Sequence, residues 1–200
     1  MTCILGMHLR GVAYMAADSL TTCTTTVAPV TARKINRFGP WVLGAAGPGE
    51  ILHNLLRARG EYIADSSTAD QVLTIVREAV RDAGWQPKTE PGGLPSWEVG
   101  LLVAGPDGLH ESSGYLRAES IDEGKVAGEG SSALLGMAAA TAALLLGQAP
   151  AAALRLGVEV ACALDLRSGG QIFEERVAFG PADRGPGTIL AELALRVGGS

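Results

Sequence analysis

The chain has 200 residues, enough to bury one sizeable core and few for two, so a single domain over 1–200 is expected. With 47% hydrophobic but only 4% aromatic residues, that core must be built from Ala, Val, Leu and Ile. A formal net charge of −5 with no Lys/Arg-rich cluster excludes a general nucleic-acid binder, because neutralising phosphates needs a basic face. Cys3, Cys23 and Cys162 are an odd set without metal-ligand spacing, which argues against a disulfide framework and a zinc site. No basic segment precedes an apolar one at the N-terminus, and the most apolar stretch, Ala133 to Leu146, falls short of the roughly 20 residues of a membrane span. The expectation is a soluble cytoplasmic domain that uses no cofactor.

In chain order, residues 2–9 and 12–17 have strand length and pattern around a turn at Arg10-Gly11. Residues 20–32 are rich in Thr and Val and favour extended structure. Residues 33–37 and 41–46 form a second hairpin around Phe38-Gly39-Pro40. After the breaker Gly47-Pro48-Gly49, a helical period starts at Glu50, with Leu55, Leu56 and Ile63 on its inner face. Ser66-Ser67-Thr68 offers N-cap chemistry for a second helix carrying Val72, Ile75, Val76 and Val80. Residues 86–96 read as a surface loop. Strands follow over 97–104, 109–113 and 114–117, and Lys125-Val126-Ala127 leads into Gly128-Glu129-Gly130. A long Ala/Leu helix runs from about Ser131 to Leu146, suited to burial in protein, and Pro150 opens another that ends near Leu164. Residues 171–179 are a last strand and 187–197 a short terminal helix. Helix pairs segregated from strand runs point to an α+β fold, two antiparallel sheets face to face with a helix layer outside each.

The chemistry is concentrated at the start. Removal of Met1 would leave Thr2 with a free α-amine beside its own hydroxyl, a base and a nucleophile on one residue. Asp18 ends the second strand, and Lys34, one of three lysines, follows sixteen residues later.

Taken together, the N-terminal Thr, Ala16-Ala17-Asp18, Arg33-Lys34-Ile35, Gly47 after the fourth strand and Asp165-x-x-Ser168-Gly169-Gly170 resemble a proteasome β subunit. Relatives include the HslV peptidase ring and smaller bacterial proteasome homologs. The resemblance covers about 170 residues and implies the four-layer αββα sandwich of the N-terminal-nucleophile hydrolases. It implies that Thr2 attacks a peptide carbonyl, that Lys34 is the nearby cation and Asp18 its anchor. It implies that the Gly47 N–H stabilises the oxyanion and that Asp165 and Ser168 orient the Thr2 amine. Substrate would lie as an added strand beside Thr22 and residues 47–49, with a roomy pocket near Thr21, Ala32, Ala45 and Gly49. The implied protein is a threonine-type endopeptidase in a homo-oligomeric double ring, acting on protein or peptide substrates, with an ATPase unfoldase ring as partner by analogy.

One departure stands out. The family has Ser within the Gly-x-Gly before the third helix, where this chain has Glu129. A carboxylate there would raise the pKa of the Thr2 amine; alternatively Glu129 points away and Ser131 or a water fills the role. His8, His53 and His110 share no metal-ligand spacing, and Cys3 lacks the α-amine and reads as buried filler. The helix after Glu50, with His53, Arg57 and Arg59, is a candidate contact with a neighbouring subunit. Two rival readings are a non-catalytic ring-forming scaffold subunit, favoured by a retained Met1 and by Glu129, and an amidohydrolase of the same fold acting on small amides.

Overall fold

The computed structural model describes residues 2–21, 30–31, 33–47, 49–89, 95–112, 114–165 and 168–179. The first hairpin pairs β1 (Ile4–Leu9) with β2 (Val12–Ala17) around the expected turn. β3 (Leu20–Thr21) and β4 (Val30–Thr31) pair briefly, and β5 (Ile35–Phe38) and β6 (Trp41–Ala46) form the second hairpin.

The helix expected from Glu50 is two: α1 (Gly49–Ala58) and α2 (Gly60–Ala64), broken at Arg59 next to a glycine, a poor helix former. Leu56 and Ile63 face inward as expected, whereas Leu55 is half-buried and Leu52 is buried in the core with them. Thr68 caps α3 (Ala69–Asp82) as expected, its hydroxyl accepting from Gln71 N–H at 3.3 Å. Within the expected surface loop lies a minimal hairpin of β7 (Lys88–Thr89) and β8 (Pro95–Ser96).

β9 (Gly100–Gly105) starts later than the sequence suggested, and Trp97 and Val99 before it are buried without being in a strand. β10 (Gly108–Ser112) follows. No strand forms over 114–117: Leu116 has φ 51° and is buried, so the chain turns there before β11 (Glu119–Ser120). β12 (Val126–Glu129), α4 (Ala133–Leu145), α5 (Pro150–Leu164, opened by its proline) and β13 (Phe173–Ala178) complete the order. The terminal helix expected over 187–197 lies outside the described residues.

Two antiparallel sheets result, ordered β12-β1-β2-β13 and β11-β10-β9-β6-β5. Strand alternation sorts the side chains into three apolar layers. Ile4, Met15, Ile35, Val42 and Leu102 pack between the sheets. Trp41, Leu43, Leu101 and Val103 meet α1–α3, and Cys3, Leu5 and Met7 meet α4 and α5. This is the αββα sandwich. Where α4 and α5 cross, a Cβ on Gly157 would lie 2.5 Å from the Gly136 carbonyl oxygen, so only glycine lets the backbones come this close. Among the described residues, no helix is long and apolar enough to cross a membrane.

Candidate active site

The entry to β1 is clamped by Asp18. The Asp18 N–H donates to the Cys3 carbonyl at 3.2 Å, and the Cys3 N–H donates back to Asp18 Oδ1 at 2.8 Å. The same oxygen accepts Lys34 Nζ at 2.8 Å, while Lys34 also donates to the Leu20 carbonyl at 2.7 Å. Asp18 Oδ2 takes the Gly169 N–H at 3.1 Å. The two side chains are 0% and 3% exposed, so each ion depends on the other and on these hydrogen bonds for what water would have supplied. Burial draws the Lys34 pKa below its ordinary value, against the opposing pull of Asp18. Lys34 thus shares, through Asp18, the carboxylate oxygen that also holds the Cys3 N–H, next to Thr2 in the chain.

On the helix side of the same strand end lies a second polar group. Ser132, at the start of α4, donates its hydroxyl to Asp165 Oδ2 at 2.5 Å and lies 2.7 Å from Ser168 Oγ. Ser168 Oγ is 3.2 Å from the same Asp165 oxygen, and Ser168 N–H donates to the Asp165 carbonyl at 3.0 Å. The Ser132 N–H reaches the Thr2 carbonyl at 3.4 Å. Gly130 has φ 105°, and a Cβ there would overlap the Thr2 carbonyl, so only glycine lets the chain pass this close to Thr2. The loop carrying Ser168 is stapled to the end of β2: Ser19 and Leu20 N–H groups share the Gly169 carbonyl, and Gln171 N–H donates to Ser19 Oγ at 2.8 Å. Two polar sets thus lie at the start of β1, one holding the Cys3 backbone and the other reaching the carbonyl of Thr2, which is itself partly exposed.

Ser132 is the residue that sequence reasoning missed. Its neighbour Ser131, or a water, was the alternative to Glu129, but Ser131 is exposed while Ser132 is 2% exposed with its hydroxyl bonded. The signal was the consecutive pair of serines after Gly130, at a position where a helix starts. Glu129 does not join Asp165 and Ser168. It pairs with Ile4 across β12 and β1, which puts its side chain on the face between the sheets. Burial, followed by the negative charge of Glu111, pushes its pKa up to about 7.

Of the remaining expected site residues, Gly47 follows β6 directly and is exposed, Gly49 opens α1 and Thr21 ends β3. Ala45 is buried in the layer under α1–α3. Thr22 and Ala32 lie outside the described residues. Cys3 is fully buried and its thiol is pushed up to about 12, chiefly by burial, which removes it as a thiolate nucleophile at neutral pH. His53 is not a subunit-facing residue as the sequence suggested. It is 5% exposed, with Nδ1 3.4 Å from Asn36 Nδ2, and burial followed by Arg57 and Lys34 lowers its pKa to about 4. No cluster of His, Cys, Asp and Glu suited to a metal occurs among the described residues.

Known structures align with this geometry over nearly the whole chain. Thiobacillus denitrificans BPH superposes with a TM-score of 0.72 at 20% identity, covering 90% of this chain and 100% of that one. Its complex with epoxomicin gives 0.70 at 19%, with the same coverage. Eukaryotic HslV from Trypanosoma brucei gives 0.66 at 19% identity, covering 88% of this chain and 99% of that one. The chain has the HslV fold. At these identities the likeness speaks for the architecture, in which the HslV-like sandwich brings Thr2, Asp18 and Lys34 to one end. No protein-family model matches the sequence, and no curated protein does.

Proposed function

We propose that this chain is a threonine-type endopeptidase subunit of a self-compartmentalising, proteasome-like ring, cleaving peptide bonds in unfolded proteins or peptides once Thr2 is exposed. One observation carries the reading. A buried Asp18–Lys34 ion pair and the Ser132–Asp165–Ser168 set converge on the end of β1 where Thr2 stands. Structural ion pairs do not need a second polar set aimed at the same chain end.

In this mechanism the Thr2 α-amine takes the hydroxyl proton as Oγ attacks the peptide carbonyl. The tetrahedral oxyanion is held by the Gly47 N–H, and the amine returns the proton to the leaving nitrogen as the C–N bond breaks. Water, deprotonated by the same amine, then hydrolyses the acyl ester and regenerates Thr2. Lys34, anchored by Asp18, favours charge build-up on Oγ. Ser132, Ser168 and Asp165 fix the amine.

Assembly is supported by α4, which carries no charged residue and leaves Leu134 (74% exposed), Leu145 (57%) and the following Leu146 (84%) uncovered. The sequence suited this helix to complete burial, and a single copy of the chain does not achieve it. An uncovered apolar stripe of this kind is what a subunit contact removes from water. Native mass measurement is expected to give a six- or seven-fold multiple, disrupted by Leu134→Glu with Leu145→Glu; a monomer or dimer in the wild type would favour a small-amide hydrolase.

BPH was captured with epoxomicin, and an epoxyketone is accordingly the probe for this chain. Intact mass should show loss of Met1 and a gain of one inhibitor per chain, the gain absent in Thr2→Ala. Retained Met1 with no adduct overturns the peptidase reading in favour of a ring-forming scaffold.

A further inference from the structure

Glu129 is the strongest feature left unexplained by the proposed mechanism. Its position can be worked out from register. Ile4 and Glu129 are cross-strand partners, so both point between the sheets. β1 begins at Ile4, and its alternation continued two residues back would put Thr2 on that face too, diagonal to Glu129 at about 7–8 Å. In the facing sheet, Glu129 packs against Gly100, where a Cβ would overlap its carboxyl group, so the absent side chain is what makes room for it. Gly100 pairs with Ala46, the residue before Gly47. The carboxyl therefore stands between the start of β1 and the strand that ends at the expected oxyanion donor.

The side of Thr2 on which it stands also follows from topology. β2 flanks β1 on one edge and leads to Leu20–Thr21, above β5 and Lys34. β12 flanks β1 on the other edge and packs over β9. If the acyl half of a substrate lies along Thr21 and residues 47–49, the leaving half passes over the β12–β9 edge. No described residue donates a hydrogen bond to Glu129, whereas Asp18 receives three donors, two backbone N–H groups and a lysine. Burying a carboxyl without a donor is costly, and a ligand that brings one removes the cost. The cation best matched to a half-buried carboxylate is a lysine or arginine side chain.

We infer that Glu129, seated in the niche made by Gly100, is a specificity-determining residue that accepts a basic side chain on the leaving-group side of the cleaved bond. This deepens the endopeptidase reading and rests on it for the orientation of the substrate. Glu111, on β10, is the charged group whose field acts on Glu129, and Lys125 in turn interacts with Glu111. With its pKa near 7, Glu129 is charged and attractive above neutrality and protonated and indifferent below it.

The test uses binding, so it does not depend on turnover. The tripeptide amides Lys-Ala-Ala-NH2 and Ala-Ala-Ala-NH2, mimics of the released half, are titrated into the assembled Thr2→Ala protein. The lysine peptide should bind about tenfold tighter at pH 8.5, with the difference gone at pH 5.5 and absent when Glu129→Gln or Gly100→Ala is added. Equal binding at pH 8.5, or a preference that survives Glu129→Gln, overturns the inference. A parallel cleavage map of a denatured protein by the wild type separates the two claims. Absence of any cut or Thr2 adduct sinks the peptidase reading and with it the leaving-group assignment, while cuts without enrichment of Lys or Arg after the scissile bond sink the assignment of Glu129 alone.

Discussion

Asp18 and Glu129 are two carboxyl groups at the start of β1, and the protein treats them in opposite ways. Asp18 is fully buried, yet it is given a lysine and two backbone N–H groups. Glu129 is less deeply buried, receives no donor from the described residues, and has its pKa driven up to about 7. The first arrangement is what a charge needs in order to be permanent scaffolding. The second leaves the carboxyl poorly solvated and therefore ready for a partner from outside. Depth of burial alone would have ranked them the other way, so it is the supply of donors that separates structural from available charge.

The comparison can be broken most sharply at Lys34. Lys34→Met keeps the volume but strands Asp18 without its cation, and urea unfolding should show a loss of about 3–5 kcal/mol together with loss of the epoxyketone adduct. Adding Asp18→Asn should recover much of the stability and none of the adduct. Recovery of both would mean that the pair is only structural. A third buried group extends the contrast to a base. The His53 pKa is about 4 in the folded chain against 6.5 ordinarily, so between those values the unfolded chain holds a proton that the native state refuses. Its contribution is complete above about pH 6.5 and is lost as pH falls toward 4, up to about 3 kcal/mol. Unfolding midpoints measured across that range should slope in the wild type and flatten in His53→Gln.

Smaller effects are expected where the charge is raised or the group is neutral. Because Glu129 is protonated more readily in the folded than in the unfolded chain, its contribution is favourable at low pH and lost as pH rises from 4.5 through about 7. Glu129→Gln should therefore stabilise the protein at pH 8 by about 1–2 kcal/mol, the figure reduced for its partial exposure, and should do little at pH 4.5. No gain at pH 8 would show that Glu129 is already satisfied in the folded chain. Ser132→Ala removes one hydroxyl from Asp165 and Ser168 and should cost about 1 kcal/mol in the same unfolding assay. It should slow adduct formation at Thr2 without abolishing it, and an unchanged rate would separate Ser132 from the amine.

Much of this was legible in the residues. Strand runs at 4–9, 12–17 and 41–46 alternate or stay apolar because both their faces meet packed layers, and Thr68 and Pro150 announced their helices through cap chemistry. Thr2, Asp18 and Lys34 could be singled out because their spacing matched a known pattern, and the structure brings Asp18 and Lys34 into contact. What stayed hidden depended on side-chain direction. A linear sequence does not say that Glu129 turns between the sheets, since that follows from its register with Ile4. Nor does it distinguish Ser131 from Ser132, which differ only in how the chain rotates on entering α4. The strand wrongly expected over 114–117 failed for a similar reason: Leu116 is apolar, as a strand residue would be, but reaches its core from a turn.

The clamp that Asp18 places on Cys3 has a kinetic meaning. Both backbone groups of Cys3 are pinned by one residue, leaving Thr2 tethered by a single peptide unit from a fixed point. Fixing a residue costs roughly 1–2 kcal/mol of conformational entropy. Here that cost falls on folding, once in the lifetime of each molecule. In the proposed mechanism, every later encounter with a substrate meets a Thr2 whose freedom has already been spent, an economical form of proximity.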